Sequence, residues 1–438
     1  MDRQTQHKTR SPWTWVPTLY FAEGLPYVMV MTVSVIMYKR FGLSNTDIAL
    51  YTSWLYLPWV IKPFWSPFVD ILKTKRWWII AMQLLIGGGL AGVALTLPTP
   101  FYLQASLAFF WLLAFSSATH DIAADGFYML ALDDSQQSFF VGIRSTFYRL
   151  AMITGQGLLI ILAGFLEKST GKISLSWSIT FLVLSGLFIA FFVYHNFILP
   201  HPASDVERKG QTPQKILAEF GNTFASFFSK KGIILAIAFM FLYRLAEAML
   251  VKLASPFLLD SRETGGLALS TQEVGLVYGT VGVIALTIGG IIGGIVASQK
   301  GLKFWLWPMA LAITLPNVAY VFLSMTQPDN IWWVNIAVAI EQFGYGFGFT
   351  AYMLYLIYFS EGEHKTAHYS ICTGFMALGM MLPGMAAGWI QEQLGYQHFF
   401  IFIMICTIPT LLLVPFMKID PEFGKKKNQG QNKKLKKR

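Results

Sequence analysis

Asp121 and Asp125 stand four residues apart inside an apolar stretch, so a helix there carries both carboxylates on one face, with Tyr128 close to it. Near Ser135 the stretch turns into another that holds Arg144 and Arg149. Counting from that turn sets Asp121 at about the depth of Arg149 and Asp125 nearer that of Arg144, which predicts facing acid–arginine pairs. A paired carboxylate stays charged, and it takes up a proton once its arginine is drawn to an anionic solute or its surroundings dry out. Such pairs serve either proton-coupled solute binding or a static cluster that fixes two helices together.

Arg244, Glu247 and Lys252 share a further apolar stretch, the first two close enough to pair on one face. With Glu23, Lys62 and Glu341 they bring to ten the ionisable side chains set in stretches otherwise apolar enough to cross a bilayer. Each costs roughly 2.5 to 3.5 kcal/mol at a helix centre, so these charges must face one another or a wet cavity, as in a transporter. Lys62, nearer the end of its stretch, reads more simply as a side chain snorkelling to the interface.

The elements that must position them are membrane helices. Mean hydropathy is +0.52 and 13% of residues are charged, about half the share in a soluble domain. Twelve runs are long enough to cross about 30 Å of hydrocarbon. They lie at about 13–38, 46–70, 77–97, 101–132, 138–166, 175–199, 232–259, 271–298, 304–325, 331–360, 366–393 and 396–417. The expected fold is an all-α polytopic membrane protein of 12 transmembrane helices in two six-helix bundles, 1–199 and 232–417. A polar cytoplasmic linker, 200–231, separates the bundles, and a basic tail, 418–438, follows. The first run is long and carries Glu23, so it reads as a span rather than a cleaved signal. Cys372 and Cys406 fall inside spans and read as structural residues.

The net charge of +10 is not a nucleic-acid signature, because the basic residues alternate by loop. Arg3, Lys8, Arg10, Lys73, Lys75, Arg76, Arg208, Lys209, Lys215, Lys230, Lys231, Lys300, Lys303 and Lys365 fall on one side, with Lys418 and the cluster from Lys425 to Arg438. The other side has Lys39, Arg40, Lys168, Lys172 and Arg262. The bias places both termini in the cytoplasm of an inner membrane, and the tail reads as an orientation signal touching anionic lipid.

The halves repeat at an offset of about 224 to 228 residues. Phe21-Ala22-Glu23-Gly24-Leu25 matches Leu245-Ala246-Glu247-Ala248-Met249. Leu43-Ser44-Asn45-Thr46-Asp47 matches Leu269-Ser270-Thr271-Gln272-Glu273, and both read as capping boxes opening a helix. Trp77 matches Trp305, and Tyr128-Met129-Leu130 matches Tyr352-Met353-Leu354. Repeats of this kind place a site near the midplane and work by alternating access.

Duplication, length and central linker resemble the major facilitator superfamily. Its loop signature survives in worn form as Ser66-Pro67-Phe68-Val69-Asp70 with Lys73, Lys75 and Arg76, and again as Gly294 to Lys303. The resemblance implies a gating role for Asp70, while Ser298 stands where the second acid would be; Arg144, at the depth of Asp125, is the other gating candidate. Within the superfamily the chain is similar to the muropeptide permease group. Gly24-Leu25-Pro26, Lys62 to Asp70, Ala118-Thr119-His120-Asp121-Ile122-Ala123-Ala124-Asp125, Tyr148-Arg149-Leu150, Glu341-Gln342-Phe343 and Pro383 to Trp389 carry that likeness. Related acetyl-CoA transporters share a similar motif around Asp121, and His120 stands where the group has glutamine, near the expected substrate path. Since first helices of each half line the cavity in this superfamily, the resemblance adds Glu23 and Glu247 to the proton sites.

Glu341, Tyr345, Gly348 and Tyr352 recur at spacings of four, three and four, a polar-aromatic stripe that suits a sugar ring or core packing. His120 and His368 are the histidines read as deep; His364, His368 and Glu363 have no matching cluster elsewhere and do not make a metal site. The aromatic residues Trp77, Trp78, Trp305, Trp332 and Trp333 mark span ends. No phosphate-binding glycine loop is present, so ATP does not drive the cycle. The expectation is a non-enzymatic, proton-coupled importer of an anionic sugar-containing solute such as an anhydro-muropeptide, working as a monomer with protons, solute and bilayer as partners and no cofactor. Asp121, Asp125, Glu23, Glu247 and Glu341 are its proton sites; His120, Arg149, Gln156, Arg244, Lys252, Tyr128, Tyr345 and Tyr352 its solute contacts. A sugar, sugar acid or acyl-CoA transporter, a membrane transferase and a non-transporting receptor are the alternatives.

Overall fold

The computed structural model describes residues 10–206, 213–362 and 364–425. Arg3, Lys8, Arg208, Lys209, Glu363 and the tail cluster beyond Lys425 lie outside the described residues, and so do the side chains of Asp70 and Lys215.

Every regular element among the described residues is a helix. In chain order they are α1 (Pro12–Arg40), α2 (Asn45–Trp54), α3 (Leu57–Leu72), α4 (Lys75–Thr96), α5 (Tyr102–Ala131), α6 (Asp134–Ile153) and α7 (Leu159–Thr170). There follow α8 (Ile173–Ile198), α9 (Pro213–Phe228), α10 (Ile233–Leu242), α11 (Leu245–Leu259), α12 (Thr271–Lys300), α13 (Leu302–Thr326), α14 (Ile331–Ser360), α15 (Lys365–Cys406) and α16 (Ile408–Leu413). Nine helical stretches among the described residues are long and apolar enough to cross a membrane. The run at 46–70 is broken between α2 and α3, where Pro58 sits in the first turn of the new helix. In α14, Glu341, Gln342, four tyrosines and three glycines dilute the hydropathy. Lys365–Phe416 holds two helices that meet at Gly395, where φ of 72° and ψ of 164° leave helical geometry and the φ belongs to glycine.

Capping fixes the helix starts. Ser44 accepts the Asp47 N–H at the head of α2, and Ser270 with Glu273 closes a reciprocal capping box at α12. In the linker, Asp205 accepts the N–H groups of Lys75 and Arg76 and so caps α4. The linker is not polar throughout: α9 forms within it, Phe227 is fully buried, and Ser226 meets His368 Nε2 at 2.9 Å.

The chain divides into two compact units, Met1–Gly221 with Ala268–Thr280, and Asn222–Leu267 with Val281–Arg438. In the first, α6 and α7 meet at a widened turn, Thr154–Leu158, rich in glycine. There a Cβ added at Gly279 would stand 1.7 Å from the Gln156 carbonyl oxygen, so only glycine permits the approach. Glu167, ending α7, gathers Arg40 at 3.1 Å, Trp177 Nε1 at 2.9 Å and the Thr271 hydroxyl at 2.8 Å. In the second unit α12 lies on α14 with Gly289 against the Phe343 carbonyl and Gly346 against that of Leu286. Its core is aromatic, built on Phe239, Tyr243, Tyr352 and Tyr355.

Candidate functional site

In the first unit α1, α3, α5 and α6 bring the charged residues together. Arg144 Nη2 donates to Asp125 Oδ1 at 2.8 Å, and Tyr20 OH donates to the same oxygen at 3.2 Å. The guanidinium lies over the rings of Tyr20, at 4.4 Å, and Tyr128, at 5.1 Å. Tyr128 donates its hydroxyl to the Gln137 carbonyl, so its ring is fixed while one face meets Arg144.

The partner of Asp121 is not Arg149. Lys62 Nζ stands 3.6 Å from Asp121 Oδ2, and Trp59 Nε1 donates to that oxygen at 3.1 Å. The expected pairing fails because depth along a helix says nothing of azimuth. Residues 144 and 149 are five apart, about 140° round the helix, so both cannot face α5. Lys62 is correspondingly no simple snorkelling residue: the proline-broken α2–α3 segment turns its ammonium inward, 24% exposed. Glu23 is 8% exposed, within electrostatic reach of Asp121, Asp125, Lys62 and Arg144, and no donor reaches its Oε2 among the described residues. Trp59 packs edge to face on Tyr27 at 5.3 Å, so this charged cluster has an aromatic wall. Gln156 lies away from these pairs, 9% exposed on the widened turn.

The second unit holds the other set. The helix breaks at Tyr243 and Arg244, and Arg244 has left helical geometry, with φ −112° and ψ 10°. Its guanidinium donates to Tyr345 OH and lies 4.7 Å from the centre of the Phe349 ring. Glu247 is 2% exposed, and among the described residues no donor reaches either carboxylate oxygen. Glu341, 1% exposed, takes the amide of Gln342 at 3.0 Å and lies within electrostatic reach of Glu247. Lys252 is buried on α11.

The stripe on α14 is divided. Glu341 and Tyr345 belong to the charged set, whereas Tyr352 is fully buried, donates to the Met240 carbonyl at 2.9 Å and stacks on Phe239. Gly348 is pressed against Met309 on α13. A four-three-four spacing puts residues on one side of a helix, and here neighbouring helices cover half of that side. His120 is likewise closed in, 1% exposed and hydrogen bonded to Gln83, and His195 is buried beside it, a deep histidine not read from the sequence. Asp70 lies in the last turns of α3, its side chain outside the described residues. Among the described residues no group of three or more metal-ligating side chains occurs. Trp59, Tyr20 and Gln83 were missed as well, and for the first two the run of polar and aromatic residues flanking Lys62 and Glu23 was the available signal.

Charged residues buried in apolar helices of two units are the arrangement of a solute carrier, and the sequence match decides which. Residues 18–364 match the profile of the Major Facilitator Superfamily. The chain belongs to that superfamily. It is homologous to proteins named AmpG or anhydromuropeptide permease. It is 28% identical over 417 residues to putative transporter AmpG 4 of Rickettsia conorii, covering 91% of this chain and 94% of that one. It is 25% identical over 409 residues to the anhydromuropeptide permease of Escherichia coli K12, covering 90% of this chain and 77% of the permease. The fold is shared with the nucleoside transporter NupG, at a TM-score of 0.70 and 15% identity over 92% of this chain and 98% of that structure. It is shared too with an inward-facing bacterial homologue of the lysosomal transporter Spinster, at a TM-score of 0.62 and 16% identity over 91% and 94%. This facilitator is therefore a membrane-embedded secondary transporter of a small molecule, not an enzyme.

Proposed function

We propose that this facilitator imports an anionic sugar-containing solute, an anhydro-muropeptide of the N-acetylglucosaminyl-anhydromuramyl class, together with protons. In this reading the chain crosses the inner membrane twelve times as two six-helix bundles, 1–199 and 232–417, joined by a cytoplasmic linker, with both termini in the cytoplasm and a monomer as the working unit. The observation that carries it is the cluster of buried Glu23 with the part-exposed Lys62, Asp121, Asp125 and Arg144, beside Tyr20, Tyr27, Trp59 and Tyr128. An anionic solute competes with Asp121 and Asp125 for Lys62 and Arg144. A carboxylate that loses its cation in a dry site takes a proton, so a singly charged solute and its proton enter together without net charge. The aromatic faces suit the C–H surface of a sugar ring. Glu247 and Glu341 are the matching acids of the second half, with Arg244, Lys252 and Tyr345 for the solute; Arg149 and Gln156 extend the solute contacts, and Asp70 gates. The muropeptide class draws its support from the relative named anhydromuropeptide permease.

The test is uptake of radiolabelled N-acetylglucosaminyl-anhydromuramyl peptide into proteoliposomes, with and without an inward proton gradient, for the parent and Asp125→Asn. Gradient-dependent uptake that the variant loses is the expected result. No uptake by folded parent protein removes the muropeptide class, and uptake indifferent to the gradient removes the proton.

A further inference from the structure

Behind the charged face of α5 runs a chain of hydrogen bonds through four helices of the first unit. Thr18 Oγ1 on α1 meets His195 Nε2 on α8 at 2.9 Å, and His195 Nδ1 meets Gln83 Oε1 on α4 at 3.0 Å. Gln83 Nε2 then meets His120 Nε2 on α5 at 3.1 Å. Gln83 and His195 have no exposed surface and His120 has 1%. Phe191 stacks on the His195 imidazole, ring centres 5.8 Å apart and 14° from parallel, which holds that ring in place.

The amide of Gln83 has one donor end and one acceptor end, so it imposes complementary tautomers on the two rings. In this geometry its nitrogen donates to His120 Nε2, and its oxygen accepts from His195 Nδ1, leaving His195 Nε2 to accept the Thr18 hydroxyl. An amide does not pass a proton on by a simple hop, so the chain is a rivet and not a proton wire. His120 Nδ1 ends it, without a hydrogen-bond partner among the described residues.

What the rivet holds follows from helix geometry. His120 immediately precedes Asp121, about 100° round the axis, so α5 is gripped by Gln83 on one side and by Trp59 and Lys62 on another. Within four residues of His120 the buried positions of α5 are small, Ser116, Ser117, Ala118, Ala123 and Ala124, except for Ile122, and small side chains resist axial rotation poorly. A rotation of about 20° carries a side-chain tip, at a radius of about 5 to 6 Å, through about 2 Å. That parts Asp121 from Trp59 and Lys62.

We propose that Gln83, His120 and His195 are positioning residues that fix the rotation of α5 about its axis and so hold Asp121 and Asp125 against their cationic partners. His120 then acts through Asp121 rather than by touching solute. The transport readout of this inference rests on the muropeptide reading, and the cross-linking readout below does not.

The experiment uses the full chain with Cys372→Ser and Cys406→Ser, and a Lys62→Cys/Asp121→Cys pair whose bridging by a short bifunctional thiol reagent in membranes reports the facing of α3 and α5. Gln83→Leu and His120→Leu are compared with His120→Gln, which keeps an amide in reach of Gln83. With folding verified by melting, both leucine variants are expected to slow cross-linking about tenfold and, in the native-site protein, to raise KM for the muropeptide about tenfold; His120→Gln stays within about twofold of the parent. Should His120→Leu not fold, Gln83→Met, of similar length, carries the same test. An unchanged cross-linking rate in Gln83→Leu or Gln83→Met overturns the proposal. So does a KM raised as much by His120→Gln as by His120→Leu with cross-linking unchanged, which makes the imidazole a solute contact. If the parent moves no muropeptide, the functional reading fails while the cross-linking arm still decides this one.

Discussion

Lys62 and Asp121 should be energetically coupled, and Arg149 and Asp121 should not. At 3.6 Å and an effective dielectric constant of about 20, the Lys62–Asp121 attraction is about 4 to 5 kcal/mol before desolvation. The side chains are 24% and 15% exposed, so water still reaches both and the net coupling falls to about 2 kcal/mol. Lys62→Gln leaves the half-buried Asp121 with the Trp59 indole and costs about 3 kcal/mol, since the stranded charge keeps most of its desolvation penalty. Adding Asp121→Asn to Lys62→Gln then costs little more. Reversible unfolding in mixed micelles, followed by tryptophan fluorescence, supplies the double-mutant cycle. The Lys62 cycle is expected to give a coupling near 2 kcal/mol, and the parallel cycle with Arg149→Gln to be additive within about 0.5 kcal/mol. Additivity at Lys62, or coupling at Arg149 above that margin, refutes the assignment.

Gly279→Ala pushes a methyl group onto the Gln156 carbonyl and is expected to cost about 1 to 3 kcal/mol in the same assay, whereas Gly88→Ala, with open space around it, is neutral. Glu167→Ala removes the shared acceptor of Arg40, Trp177 and Thr271 and should cost about 3 kcal/mol, against about 1 kcal/mol for Thr271→Val, which loses a single hydrogen bond. Asp133 caps α6 through the Gln136 N–H and the Ser135 hydroxyl, which hold its carboxyl below the ordinary range. Its contribution is therefore complete above the unfolded carboxyl value of about 3.9 and is lost as pH falls through the lower folded value. The difference in Tm between parent and Asp133→Ala should be flat from pH 6 to 8 and shrink below pH 4; a difference that grows on acidification contradicts the cap.

The site was legible in its composition and illegible in its pairing. The Asp125–Arg144 bridge was foreseen because a short turn between α5 and α6 ties depth in one helix to depth in the next. The Asp121 partner was not, since Lys62 reaches it from a helix sixty residues earlier whose direction is set by prolines and a break after Trp54. The α14 stripe misled for a related reason. Periodicity assigns Tyr352 and Gly348 to one face, and only the packing of α10 and α13 decides that this face is core.

The amino-acid sequence by itself determined that the chain is a stack of apolar helices, where several of them start, and that ionisable groups must be buried among them. Hydropathy, the Ser44 and Ser270 caps and the cost of charge in a bilayer are properties of neighbouring residues, so they are written locally. Tertiary structure alone decided which groups meet: Asp121 with Lys62, Glu167 with Arg40 and Thr271, and His120 with Gln83 and His195. Helix azimuth sets those meetings, and azimuth follows from the whole of the packing, down to one glycine at 279 that lets two backbones touch.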